Sequence, residues 1–177
     1  MFDPTAFDNM KVVIEGAFYD LDIIGEIEIT DRNDIVNMAK MSRYFDVKFK
    51  LKDESSSPIF AKFMMESQLV HLAAELLPDL KSENLAGCQI RLEFHFEESL
   101  NCDQFHEVQT IALEIWGVNR KITQTVLYHP LDENSPHNIL LTIEFDRIVS
   151  EQQMDDLIEL IDVMVTTIKR LQALLEV

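Results

Sequence analysis

Apolar residues at alternating spacings of three and four mark the first stretch of the chain as a helix that buries one face. Phe7, Met10, Ile14, Ala17, Leu21 and Ile24 recur on one stripe, which Val13 and Phe18 widen. Asp3 suits the N-cap, Pro4 the first helical position, and Phe2 with Phe7 the two positions of a hydrophobic staple. A helix over 4–21 is predicted. Gly25 ends the pattern, and residues 26–30 alternate apolar and polar side chains as a half-buried strand does. Asp31 to Ser42 reads equally as a short helix or as a strand returning from an Asp-Arg-Asn-Asp turn. Phe45, Val47, Phe49 and Leu51 then alternate with Asp46, Lys48, Lys50 and Lys52, a strand with one apolar and one largely cationic face.

Ser57-Pro58 repeats the cap-then-proline signal. It predicts a helix running to Leu77 and stopped by Pro78, with Phe60, Phe63, Met64, Leu69, Leu72, Leu76 and Leu77 apolar on more than one side. Beyond Gly87 the alternation predicts strands at 90–96, 108–116, 122–128 and 139–145, with a turn at 117–120 and a loop at 129–136. Connections this short favour antiparallel neighbours, because a parallel pair needs a crossover of about a dozen residues or more, so a four-stranded meander is expected. The last helix begins at a capping box of Ser150 and Gln153, with Val149 and Met154 as staple. Met154, Leu157, Ile161, Met164, Ile168, Leu171 and Leu175 carry its stripe, and its acids precede its bases, which complements the helix dipole. The expected architecture is a single α+β domain over 1–177. Its mainly antiparallel sheet has about five to six strands, with N-terminal, central and long C-terminal helices packed on it.

Composition narrows the function classes. Only four glycines are present, none clustered, which argues against phosphate-cradling and dinucleotide-binding loops. Two cysteines cannot form a four-thiolate zinc site. The acidic first twenty residues lack the pattern of a secretory signal, and no stretch approaches the roughly 20 apolar residues of a membrane span, so a cytoplasmic protein that engages no membrane is expected. The net charge of −17 disfavours nucleic acid as a partner. That charge is uneven: residues 31–62 hold seven of the 15 basic residues and five acids. Lys48, Lys50 and Lys52 share one strand face and make a candidate docking patch for an acidic partner, or a solvated face and lysine-guarded edge.

Chemistry-bearing residues are few. Glu93, His95 and Glu97 share a strand face, with Cys102 and His106 following. Residues two apart on a strand stand about 6 to 7 Å apart, so convergence of all three on one ion is not expected, and no metal or other cofactor is predicted. His71 and Glu75, four apart, read as a surface ion pair or an acid–base pair, and His129 and His137 as loop histidines. The eight methionines, among them Met38, Met41, Met64, Met65, Met154 and Met164, read mainly as core, with an adaptable groove as the other use. No nucleophile elbow or zinc-protease motif occurs. The small, acidic α+β profile loosely resembles secretion-type chaperones, which commonly dimerise and bind unfolded segments; no residue motif carries this. The expected function is a non-enzymatic protein-binding, adaptor or chaperone-like domain. It would bind a protein partner or itself, as a homodimer contacting through the last helix or a sheet edge. The alternative is a small-molecule-binding domain or an enzyme of unfamiliar type, with a site between sheet and helices.

Overall fold

A computed structural model describes residues 6–52, 58–76, 85–131 and 136–176. In chain order the elements are α1 (Ala6–Ile23), β1 (Ile27–Asn37), β2 (Ser42–Leu51), β3 (Phe60–Ser67), α2 (Leu69–Leu76), β4 (Cys88–Glu98), α3 (Cys102–Trp116), β5 (Lys121–Leu127), β6 (His137–Val149) and α4 (Met154–Leu175), with a 3-10 turn at Glu151–Gln153 leading into α4. The strands form one antiparallel sheet in the order β1-β2-β3-β4-β6-β5, an α+β fold as the pattern predicts. The proposed cap and staple at Asp3, Pro4 and Phe2, the start at Ser57 and the stop at Leu77-Pro78 lie outside the described residues.

Three helices cover one face. α4 packs against α1 on one flank and α3 on the other, α1 also meets β1 and β2, and α3 meets β5. The stripe of α1 supplies buried Phe7, Met10, Ile14 and Phe18, and that of α4 buries Leu157, Ile161, Met164, Ile168 and Leu171. They meet the inward residues Phe45, Val47, Phe49, Phe63, Leu92, Phe94, Leu141 and Ile143 in one continuous core. Phe18 lies 5.2 Å from Phe49 and 5.9 Å from Phe63, ring centre to ring centre, and ties the first helix to the middle of the sheet. The apolar stripe of α4 is thus spent within its own chain.

The ambiguous segment 31–42 is strand as far as Asn37, then a turn over 38–41 into β2. β1 continues to Asn37, whose Oδ1 accepts from the backbone N–H groups of Ala39 and Lys40 at 3.1 Å each and so closes the hairpin turn. A register shift between Ile29 and Asp31 reverses which residues face inward, so the alternation read up to Thr30 does not carry on in phase. Beyond it Arg32 and Asp34 point to α1, where Arg32 pairs with Glu15 and Asp34 with Lys11.

Two predicted elements differ, the helix ending at Leu77 and the strand at 108–116. Residues 60–67 form a strand rather than the first half of a long helix, and only Leu69–Leu76 is helical. Ala61, Phe63, Met65 and Ser67 are buried on the helix side, while Phe60 and Met64 lie on the other, which made the segment look apolar all round. Residues 102–116 form a helix rather than a strand, capped by Asn101: its side chain accepts from the N–H of Gln104, whose own side chain accepts from the N–H of Asn101. The C-terminal half is therefore no simple meander. β4 and β5 run parallel with β6 inserted antiparallel between them, and α3 is the crossover that such a pair requires. The Ser150–Gln153 capping box forms as predicted and opens the 3-10 turn that leads into α4.

Candidate functional site

Helices cover one face of the sheet; the other bears the outward-pointing residues of all six strands. Because antiparallel partners sit opposite each other on the same face, register alone assembles rows across it. One row runs Asp31, Lys48, Lys62, Glu93, Thr142, Thr123; the next runs Asn33, Asp46, Met64, Arg91, Glu144, Lys121. A third holds Phe60, His95, Leu140 and Thr125.

Two carboxylates on this face are buried although no helix among the described residues lies over them: Asp46 is 1% exposed and Glu93 7%. Charge at such positions persists only with partners. Asp46 has Lys62 Nζ at 3.3 Å and accepts from Asn33 Nδ2 at 3.2 Å. The Tyr44 hydroxyl also bonds Asp46; burial, reinforced by the carboxylate's charge, pushes the phenol well above its ordinary pKa and keeps it a donor. Glu93 is held between its two neighbours on β4, with His95 Nε2 at 3.0 Å from Oε2, and Arg91 Nε donating to Oε1 at 3.0 Å. The bond from His95, with that from Arg91 behind it, outweighs burial and lowers the Glu93 pKa to about 2. Ionised at neutral pH, Glu93 orients the His95 ring, whose side chain remains 39% exposed.

Two depressions flank this cluster on the same face. The larger, about 600 Å³, is lined by His95 with Lys48, Phe60, Glu97, Leu127 and Leu140 among others. The smaller, about 330 Å³, includes Tyr44, Met64, Arg91, Lys121 and Glu144. The surface can therefore take an apolar segment bearing hydrogen-bonding groups, with the Glu93–His95 pair at the edge of the larger depression.

The residues singled out by sequence separate into several places. Lys48 and Lys50 lie on the open face, but Lys50 pairs with Glu28 at 3.2 Å and Lys48 Nζ stands 4.6 Å over the Phe60 ring, while Lys52 follows the end of β2. On the open face Lys48 lies opposite Asp31 on one side and Lys62 on the other, so acids and bases are mixed around it. Glu93 and His95 come together; Glu97 lines the larger depression, and no group of three or more metal-ligating side chains occurs among the described residues. Cys102 and His106 lie on α3, which packs on the other face. His71 and Glu75 make no surface ion pair: His71 is buried with Nδ1 3.0 Å from the Leu85 carbonyl oxygen, and Glu75 accepts from the Ala6 N–H at 3.1 Å, at the start of α1. Burial raises the Glu75 pKa. His137 sits 6.0 Å from the Tyr128 ring. Met65 and Met164 are core, Met64 is on the open face, and Met38 and Met41 are exposed at the β1–β2 turn.

Asp46, Lys62, Arg91 and Tyr44 escaped sequence reasoning because each looks like an ordinary outward residue of its own strand, and Lys62 was expected on a helix. The one available signal was that Arg91 falls on the same strand face as Glu93 and His95. No helix among the described residues is long and apolar enough to cross a membrane. Comparison with protein-family models, curated proteins and solved structures finds no match.

Proposed function

We propose that the chain is a cytoplasmic, non-enzymatic protein-binding domain, an adaptor or chaperone-like module, that receives its partner on the open face of the sheet. The observation that carries this reading is that face itself: six strands present Phe60, Leu140 and Leu127 around a buried, paired cluster of charges, with no helix among the described residues laid over it. Apolar anchors set among fixed polar groups are how protein interfaces obtain both affinity and register. Two free thiols suit a reducing compartment, and the net charge of −17 argues against nucleic acid.

Affinity capture from native extract tests the reading. The wild-type chain and a Val12→Glu control, altered on exposed α1 surface, should retain the same protein. Leu140→Glu, in the lining of the larger depression, should retain it at least about tenfold less. Equal recovery by all three would refute docking on this face. The second reading, a small-molecule-binding domain or enzyme, is favoured by the Glu93-oriented imidazole beside a ligand-sized hollow. It expects a co-purifying metabolite that His95→Gln releases and Val12→Glu keeps.

A further inference from the structure

The sheet has two edges, and they are built differently. β1 is guarded: its register breaks after Ile29, and Asp31, Arg32 and Asp34 load it with charge, all features that discourage a further strand. β5 is unguarded. Its sequence, Lys-Ile-Thr-Gln-Thr-Val-Leu, contains no proline, glycine or acid, and only its first residue is charged. It pairs with β6 on one side, and no strand among the described residues lies on the other.

We propose that β5 pairs antiparallel with β5 of a second copy of this chain, so that two sheets join edge to edge about a two-fold axis through Gln124. Three observations select a second copy as the occupant. The strand is complementary to itself about its centre: Ile122 falls opposite the partner's Val126, Thr123 opposite the partner's Thr125, and Lys121 opposite the partner's Leu127, so β-branched residues meet one another and no like charges are opposed. The two ends of β5 also carry exposed apolar side chains, Val118 at 82% before it and Leu127 and Tyr128 at 59% and 67% at its end. An antiparallel two-fold brings each end against the other. Finally, in a chain of net charge −17 no acid occurs between Ile115 and Leu131, so this edge is the stretch where two copies repel least. Pairing would set the larger depression, bounded by Leu127, beside the partner's smaller one, bounded by Lys121, and double the length of the open face.

The proposal stands apart from partner docking and is tested on the full chain alone. Light scattering at high micromolar concentration should report twice the 20.5 kDa chain mass, with association strengthening as salt screens the acidic bodies. The double variant Thr123→Lys/Thr125→Lys, which opposes like charges across the axis, should dissociate at least about tenfold more readily while keeping the wild-type circular dichroism and melting. In a Cys102→Ser background, an equimolar mixture of Thr123→Cys and Thr125→Cys chains should join through a short bis-maleimide cross-linker far more than either alone. A wild-type monomer, a dimer indifferent to the lysines, or cross-linking no better in the mixture would each overturn the proposal.

Discussion

At the scale of single residues, the open face turns on Glu93. Its folded pKa of about 2 lies below the usual 4.5, so the ionised carboxylate stabilises the fold at neutral pH. That contribution is present above the ordinary carboxylate range and is lost as pH falls toward 2. Replacing Glu93 by Gln removes the charge that His95 and Arg91 share, and should cost about 1–3 kcal/mol at pH 7. Urea titrations at stepped pH should show the gap between wild type and Glu93→Gln narrowing from about pH 5 downward; a gap constant to pH 2 would contradict the pairing. Of the partners of Glu93 on its own strand, His95 was legible as a neighbour on the same strand face. Those of Asp46 were not, because Asn33 comes from β1 and Lys62 from β3, and only strand register sets them beside it.

Among elements, α3 shows where periodicity misleads. Ile111, Leu113 and Ile115 alternate as in a strand, yet Val108 and Ala112, four apart, are the residues fully buried. A segment of fifteen residues can satisfy both periods, and the deciding term is the cap: Asn101 and Gln104 satisfy two N–H groups that a strand would not leave unpaired. Asn101→Ala should lower stability by about 1 kcal/mol with the largest loss of amide-exchange protection in the first turn of α3. Wild-type protection there would show that the cap contributes little. The strand 60–67 was misread for the reverse reason, since apolar residues on both faces erase the alternation that identifies a strand.

For the whole molecule, one core joins the first helix to the last. Phe18 is fully buried between Phe49 and Phe63, residues of β2 and β3, so truncation there should weaken the entire assembly rather than free one helix. Phe18→Ala should cost about 3–5 kcal/mol in urea denaturation, with fluorescence of the single Trp116 and circular dichroism moving together. Separate transitions would mean that α1 unfolds on its own. The net charge of −17 does not prevent this packing, because acids such as Glu15 and Asp34 sit at the helix–sheet margin with basic partners.

By itself the sequence determined the class of fold, the amphipathic first and last helices, and the strands with a clean alternation at 45–51, 90–96 and 139–145. Those properties are local: side-chain period and capping residues act within a few positions of the chain. Tertiary structure alone decided the strand order, the crossover through α3 and the face on which the charges meet. Those depend on which distant segments lie side by side, and a one-residue change of register would move every side chain of a strand to the opposite face.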